Sequence, residues 1–128
     1  MNDNHSTAIT HKLDLLNSII GEMPANIYWT DREGVALGCN KNVLDLHDIK
    51  SKEDYIGKTY DNLFEKEEAK LIKQTDFEVI QSGKAKILEE VAIKSGKVVA
   101  TYLTHKAPLF DHQGNVIGLL GVSIDITA

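Results

Sequence analysis

The sequence predicts an α+β domain with an antiparallel sheet, because strand-like segments lie at both ends of the chain and helical segments lie between them. Three strand-like runs occupy residues 86–127 and are separated by short, Gly-containing turns at 94–97 and 111–115. Two more runs, 27–30 and 35–39, flank a polar turn. Runs joined by turns this short pair as antiparallel neighbours, so the two groups of strands predict the sheet.

The N-terminal region predicts a flanking helix. Residues 1–10 are polar and are expected to form a disordered lead-in. Residues 11–23 carry apolar side chains at helical spacing, and Pro24 ends the pattern, so the remaining domain spans 24–128. We expect this helix to cover the outer face of the sheet and to leave part of its wide apolar stripe for a partner copy. The predicted dimer residues are Leu13, Leu16, Ile19 and Ile20.

The middle of the chain predicts several helical segments. Residues 40–47 suit a short helix, 51–54 a capped turn, and 67–81 one long helix that ends at Gly83. The alternating Glu and Lys residues from Glu65 to Lys73 are expected to form a solvated helix face.

Composition narrows the classes of function. The chain has 128 residues, 42% hydrophobic and 26% charged, with a formal charge of −5 and no basic block, which argues against nucleic-acid binding. No apolar run approaches the length that spans a bilayer, so no membrane contact is expected from this segment. A single cysteine fits a reducing, cytoplasmic setting. No metal site, phosphate loop or nucleophile motif is visible, so the domain itself is predicted not to be an enzyme.

Several short motifs, in order along roughly 115 residues, resemble the PAS domain, the sensory module of bacterial histidine kinases, cyclases and phosphodiesterases. The resemblance rests on the hairpin 27–34, on Asn40 after the second strand, on Tyr55-Ile56-Gly57-Lys58-Thr59 with Leu63-Phe64, on Ala107-Pro108-Leu109, on Asp111, Gly114 and Val116-Ile117-Gly118, and on the closing Asp125-Ile126-Thr127.

The resemblance implies a PAS fold: a five-stranded antiparallel sheet whose concave face, covered by the middle helices, encloses a small molecule. It also implies that Asp125 and Thr127 form a junction at which the last strand passes a signal to an effector domain further along the chain. Thr127 would then stand where the N-cap of an effector helix falls.

The family match and strand alternation together predict which side chains line the pocket. This face is unusually polar, which suits a polar or anionic ligand or ordered water. Alternatively, Lys106 reaches solvent or pairs with a carboxylate on a middle helix. The predicted pocket residues are Tyr28, Thr30, Leu37, Cys39, Tyr60, Tyr102, Thr104, Lys106, Leu119 and Ser123.

Two cofactors of the family are disfavoured. Flavin photochemistry of the LOV type needs a cysteine at the position where Tyr60 stands. Haem-binding relatives take a histidine from the long helix, and residues 67–81 contain none. His47 or His105 could ligate haem only in a different geometry, so we predict no cofactor and leave an unknown small ligand open.

The leading hypothesis is a sensory input domain of a cytoplasmic signalling protein, most consistent with a histidine kinase. It would bind a small molecule, form a homodimer, or both, to regulate a C-terminal effector. One alternative is a ligand-free dimerisation or protein-interaction module, and another is the input domain of a cyclic-dinucleotide cyclase or phosphodiesterase. A stand-alone enzyme is disfavoured because no catalytic set is present. A cavity of several hundred cubic ångströms would favour a sensor over a ligand-free module.

Overall fold

A computed structural model describes the backbone of residues 3–128 and the side chains from residue 6 onward. The helices and strands follow the predicted order. They are α1 (Asp3–Glu22), β1 (Asn26–Asp31), β2 (Ala36–Cys39), α2 (Lys41–Leu46), α3 (Lys52–Tyr55), α4 (Tyr60–Leu63), α5 (Lys66–Ser82), β3 (Lys86–Lys94), β4 (Lys97–Phe110) and β5 (Val116–Asp125).

The five strands form one antiparallel sheet in the order β2-β1-β5-β4-β3. The C-terminal strand β5 therefore lies at the centre, between β1 and β4. Helices α2 to α5, which connect β2 to β3, pack on one face of the sheet, and α5 contacts β3, β4 and β5. This arrangement confirms the predicted fold class.

Two hairpins are closed by the same local motif, an aspartate three residues before a glycine. Asp31 Oδ1 accepts the backbone N–H groups of Glu33 and Val35. Asp111 Oδ1 accepts those of Gln113 and Asn115 in the same way. The glycine of each turn has a positive φ, 84° in the first and 85° in the second, a conformation that side chains with a Cβ disfavour. The turn sequences therefore fix the hairpin register locally.

Asn40 connects the sheet to the helical layer. It is the N-cap of α2, and its Oδ1 accepts the backbone N–H groups of Val43 at 3.3 Å and Ile27 at 3.2 Å. Its amide donates to the carbonyl of Ala25 at 2.7 Å. Because the side chain is 1% exposed, these bonds satisfy a buried polar group and hold the start of β1 against α2.

The N-terminal helix differs from the prediction in two ways. It begins at Asp3, so the expected disordered lead-in over 1–10 is wrong for residues 3–10, while Met1 and Asn2 lie outside the described residues. No Gly or Pro interrupts residues 3–20, which lets the helix extend backward through polar sequence. Within the described residues, no helix is both long and apolar enough to cross a membrane.

The helix also does not cover the sheet. Its side chains from Ser6 to Ile19 are exposed and Ile20 is half-buried. The outer face of the sheet, where Val99, Leu103 and His105 lie, is exposed as well. The expectation that α1 covers this face within one chain is therefore wrong. Both surfaces are left uncovered because α1 does not pack extensively against any strand of the sheet.

Two apolar clusters lie under the sheet. The first, which we call the apolar cluster, joins β2 to α2 and α3 and consists of Ala36, Cys39, Val43, Leu44 and Tyr55. The second packs α5 against β5 through Val79, Ile80 and Leu119. Between them the helix-covered face is polar.

Candidate ligand-binding site

A cavity of about 70 Å³ lies between the sheet and helices α2 to α5. A single water needs about 10–15 Å³, so the space suits several waters or a molecule of a few non-hydrogen atoms. It is smaller than the several hundred cubic ångströms expected of a sensor. Its walls are Asn26, Tyr28, Thr30, Gly34, Ala36, Val43, Leu46, His47, Tyr55, Tyr60, Leu63, Phe64, Glu68, Ile72, Glu90, Val91, Tyr102, Thr104 and Ser123.

Two glycines make room for the aromatic walls. A Cβ at Gly121, which pairs with Tyr28 across the strands, would collide with the Tyr28 ring. A Cβ at Gly34 would collide with the Tyr60 ring in the same way. Both rings can therefore lie flat over neighbouring backbone only because these positions lack side chains.

A largely buried group of polar and ionised side chains, which we call the charged network, lies at and behind one wall of the cavity: Tyr60, Thr75, Asp76, Glu90 and Lys106. Of these, Tyr60 and Glu90 line the cavity. Lys106 Nζ lies 2.5 Å from Asp76 Oδ1, 2.6 Å from Glu90 Oε2 and 2.8 Å from Thr75 Oγ1. The Tyr60 hydroxyl donates to Asp76 Oδ2 at 2.5 Å. Lys106 is 0% exposed and Asp76 is 1% exposed, so water cannot screen these contacts.

Burial sets the protonation of this region. Burial raises the pKa of the Asp76 carboxyl, and the nearby Lys106 ammonium and the bonds from Lys106 and Tyr60 oppose that rise. Burial and the Asp76 charge raise the pKa of Tyr60, so its hydroxyl stays protonated and acts as a donor. Burial likewise raises the pKa of Glu68, and Glu90 adds to the rise.

Thr104 places an unsatisfied hydroxyl at the cavity. The residue is 0% exposed, and its Oγ1 has no hydrogen-bond partner among the described residues. Its cross-strand neighbour Ser123 accepts a bond from the Asn26 amide at 3.3 Å. A buried hydroxyl without a partner costs stability, so Thr104 marks a place where a water or ligand atom would be favoured.

Six of the ten predicted pocket residues lie in the cavity wall: Tyr28, Thr30, Tyr60, Tyr102, Thr104 and Ser123. Five of them lie on β1, β4 and β5, on the helix-covered face that strand alternation predicts, and Tyr60 reaches the cavity from α4.

The two predicted residues of β2 do not line the cavity. A bulge between Trp29 and Thr30 shifts the pairing, so that Ala36 stands opposite Thr30 and Leu37 is 46% exposed. Cys39 faces the helices but lies in the apolar cluster, where burial raises the pKa of its thiol to about 11. The prediction of pocket roles for Leu37 and Cys39 is therefore wrong.

Leu119 and Lys106 face the helices as predicted but lie behind the cavity wall. Leu119 packs against Val79 and Ile80 of α5. Lys106 pairs with a carboxylate of α5, which is the alternative that the sequence left open. Its ammonium donates to Thr75 and Asp76, forms an ion pair with Glu90 and does not line the cavity, so Lys106 is not placed to bind an anionic ligand there.

Sequence reasoning missed the carboxylates of the site. Glu68 lines the cavity and accepts the backbone N–H of Ile93 at 2.8 Å, although its position in the Glu/Lys run suggested a solvated residue. Asp76 lies on the same face of α5 as the buried Ile72 and Val79. A single carboxylate at that helical spacing among buried apolar residues is the signal that could have identified it.

The histidines give no support to haem. His47 lines the cavity, where burial lowers its pKa, and its ring packs edge-on against Phe64 at 5.1 Å. His105 is exposed on the outer face. Among the residues that the structure describes, no three His, Cys, Asp or Glu side chains are placed to hold a metal ion.

The end of β5 connects the cavity to the C-terminus. Asp125 pairs across the strands with Tyr102, a cavity residue. Its carboxylate accepts the backbone N–H of Thr127 at 2.8 Å, and hydrogen bonding from the Thr127 side chain and backbone lowers the pKa of Asp125. The Thr127 hydroxyl accepts the backbone N–H of Thr101 at 2.9 Å. The side chain of a helix N-cap accepts a backbone N–H two or three residues later, and Asp125 makes such a hydrogen bond with Thr127. Thr127 itself bonds to Thr101 of β4.

Several known proteins are similar to this chain in sequence or in fold. A diguanylate cyclase of Vibrio cholerae serotype O1 is 32% identical over 111 residues, which cover 85% of this chain and 34% of the cyclase. A VqmA dimer of Vibrio cholerae superposes with a TM-score of 0.77 at 23% identity, covering 90% of this chain and 51% of that one. Another structure shows VqmA bound to DPO, with a TM-score of 0.77 at 22% identity over 89% and 57% of the two chains.

The PAS domain of Bordetella pertussis BvgS superposes with a TM-score of 0.73 at 24% identity, covering 92% of this chain and 88% of that domain. The chain thus spans about a third of the cyclase and about half of VqmA, but nearly all of a separate PAS domain. Residues 21–128 match the family described as PAS fold, and the chain belongs to that family of sensory domains.

Proposed function

We propose that this chain is the input domain of a larger cytoplasmic signalling protein and that a small molecule in the cavity changes the output of a C-terminal effector. Although the cavity of about 70 Å³ is smaller than expected of a sensor, the observation that carries the proposal is the buried Thr104 hydroxyl, which borders it without a hydrogen-bond partner among the described residues. A domain that used the space only for packing would gain stability from an apolar side chain at this position. The VqmA structure with DPO supports ligand binding in a related fold.

A short path supports transmission to the effector. Tyr102 lines the cavity and pairs with Asp125, and Asp125 holds the backbone of Thr127 at the end of the described chain. Asp125, the cross-strand partner of the cavity residue Tyr102, is only two positions before Thr127. A ligand that shifts Tyr102 would therefore change the position of whatever follows Thr127.

Asp125→Ala in the full-length parent tests this path. We expect a changed effector output and a normally folded isolated domain, because the carboxylate is exposed and bonds only to the chain end. Asp45→Ala is the matched control, since Asp45 is an exposed aspartate of α2 far from the junction. Unchanged output in Asp125→Ala would contradict a junction role. Native mass spectrometry of freshly purified protein would test directly for a bound small molecule.

The identity of the effector has two candidates. Sequence reasoning favoured a histidine kinase, and the 32% identical relative favours a cyclase that forms cyclic diguanylate. Assaying the full-length parent for cyclic diguanylate formation and for autophosphorylation with ATP separates the two. The same assays, with Asp125→Ala as the comparison, report whether this domain regulates the activity that is found.

We also propose that the domain forms a homodimer through α1. The side chains of Leu13, Leu16 and Ile19 are about half-exposed and form a stripe that no other element covers, and the related VqmA is a dimer. Removing residues 1–22 is expected to give a monomer by light scattering. A truncated protein that remains a well-folded dimer would place the interface elsewhere.

A further inference from the structure

The cavity has an excess of hydrogen-bond acceptors on the side of β3 and α5. Glu90 reaches it from β3 and Glu68 from α5, and both carboxylates line the cavity. Each carboxylate has one oxygen engaged: Glu90 Oε2 contacts Lys106 at 2.6 Å, and Glu68 Oε1 accepts the Ile93 N–H at 2.8 Å. A carboxylate accepts at both oxygens, so each residue retains an oxygen able to accept from a molecule in the cavity.

The carboxylates of this region outnumber its ammonium groups, even when Lys94, whose charge acts on Glu68, is counted with Lys106. Lys106 is the one ammonium of the charged network, and three carboxylates, those of Glu68, Asp76 and Glu90, lie around the cavity or behind its wall. The fully buried Lys106 ammonium donates to Thr75 and Asp76 and forms an ion pair with Glu90 at 2.6 Å. An anionic ligand would therefore meet the carboxylates of Glu68 and Glu90 without a cationic donor in the cavity lining, which is unfavourable.

Thr104 gives an independent indication of a ligand. It is 0% exposed, lines the cavity, and its Oγ1 has no partner among the described residues. A hydroxyl accepts as well as donates, so it adds a further acceptor at a second wall. The rings of Tyr28, Tyr55 and Phe64 supply the remaining surface, and aromatic faces attract cations.

Resting on the proposed function of this cavity as a ligand site, we propose that its ligand is a small organic cation, an amine or amidine, whose N–H groups donate to the cavity acceptors Glu68, Glu90 and Thr104. The positive charge balances the excess carboxylates, and the apolar part of the molecule contacts the aromatic rings. A cavity of about 70 Å³ limits this ligand to a few non-hydrogen atoms.

The test is a titration of the ¹⁵N-labelled domain, followed by amide chemical shifts, with ethylammonium, n-propylammonium and acetamidinium chlorides. Ethanol is the neutral probe of matched size, sodium acetate is the anionic one, and sodium chloride controls for ionic strength. Molecules of three or four non-hydrogen atoms bind at best with a Kd of roughly 0.05–0.5 mM and are expected here to bind with about millimolar affinity, so the titrations extend to about 10 mM. We expect at least one cation to give saturable shifts at the amides of Thr104 and Glu90, and ethanol and acetate to give none.

Glu68→Gln and Glu89→Gln form a matched pair of variants. Glu68 lines the cavity, whereas Glu89 is exposed on the opposite face of β3, so the two substitutions remove the same charge from different environments. We expect Glu68→Gln to weaken cation binding about tenfold and Glu89→Gln to leave it within about twofold. Thr104→Val, which keeps the shape and removes the hydroxyl, is expected to weaken binding severalfold.

Three results would overturn the inference: none of the three cations binds, acetate or ethanol binds as tightly as the cations, or Glu68→Gln binds them as well as the native chain. If acetate binds instead, the cavity is still a ligand site and only the ligand class is wrong. The proposed function fails separately, when native mass spectrometry finds no bound molecule and Asp125→Ala leaves the output of the parent protein unchanged.

Discussion

The two halves of the helix-covered face are held together by different interactions, apolar packing in one and buried ion pairs and hydrogen bonds in the other. The apolar cluster contains only Ala36, Cys39, Val43, Leu44 and Tyr55, which lie within 20 consecutive positions of the chain. The charged network joins α4, α5, β3 and β4, and Lys106 bonds to residues 30 and 31 positions away. The apolar cluster tolerates imprecise packing, whereas the charged network is stable only when every partner is present.

The difference assigns the two halves to different tasks. Apolar burial stabilises the fold in proportion to area and without direction. A buried ion pair contributes little net stability compared with apolar residues of the same volume, but it fixes the position and charge of each group that borders the cavity. The apolar cluster therefore holds β2 and the short helices together, and the charged network sets which ligands the cavity accepts.

The largest expected effect comes from removing the central cation. Lys106→Met leaves the buried Asp76 carboxylate unpaired, and we expect a loss of about 3–5 kcal/mol in the free energy of unfolding. Urea denaturation followed by circular dichroism measures it. Lys97→Met, at an exposed position of the same strand, is the control and should change stability by less than about 0.5 kcal/mol.

A triple variant separates lost pairing from lost packing. Adding Asp76→Asn and Glu90→Gln to Lys106→Met removes the unpaired charges, and we expect it to recover at least half of the lost stability. A triple variant no more stable than Lys106→Met would mean that the charge imbalance is not the cause of the loss.

The next effect tests the apolar cluster. Leu44→Ala removes a buried side chain between α2 and the sheet, and we expect a loss of about 2–3 kcal/mol, since the site is buried but close to the surface. Leu71→Ala changes a leucine of α5 that is 49% exposed and should cost about 0.5 kcal/mol or less. Equal losses in the two variants would show that the apolar cluster is not tightly packed.

A matched pair of tyrosines compares the two halves directly. Tyr60→Phe removes a hydroxyl that donates to Asp76 at 2.5 Å, and we expect it to cost about 1.5 kcal/mol, the lower range for a bond to a charged group, because Lys106 still pairs with Asp76. Tyr55→Phe removes a hydroxyl that has no hydrogen bond within the described residues and should cost about 0.5 kcal/mol or less. The reverse order of losses in chemical denaturation would contradict this division.

The smallest effect is a pH dependence at Glu68. Burial raises its pKa above 4.5 in the folded chain, so the folded state holds a proton more tightly than the unfolded state. The raised pKa of Glu68 therefore stabilises the folded state below pH 4.5, and this stabilisation is lost as the pH rises through the folded-state pKa. We expect Glu68→Gln to gain stability relative to the native chain over that rise, by less than about 1 kcal/mol because the residue is half-exposed.

Urea denaturation at several pH values between 4 and 8 measures the free energy of unfolding of Glu68→Gln and of the native chain. The titration of other groups cancels in the difference between the two. Glu89→Gln is the control and should follow the native chain at every pH. A Glu68→Gln curve parallel to that of the native chain would mean that Glu68 is solvated in the folded state.

The sequence by itself determined the elements and most of the cavity-facing residues. Turn residues such as Asp31 and Asp111 act within five positions of the chain, so their effect is visible locally. Strand alternation is also local, and it placed Tyr28, Thr104 and Ser123 on the covered face. These features depend on neighbouring residues and not on distant ones.

Only the tertiary structure decided the chemistry of the site. The bulge that turns Leu37 outward depends on how β2 pairs with β1. The inward position of Glu68 depends on how α5 packs against the β3–β4 hairpin, where the Ile93 N–H meets its carboxylate. Lys106 is paired only because α5 brings Asp76 beneath β4. Each of these contacts joins residues that are distant in sequence, and local residue patterns carry no information about how such segments pack against each other.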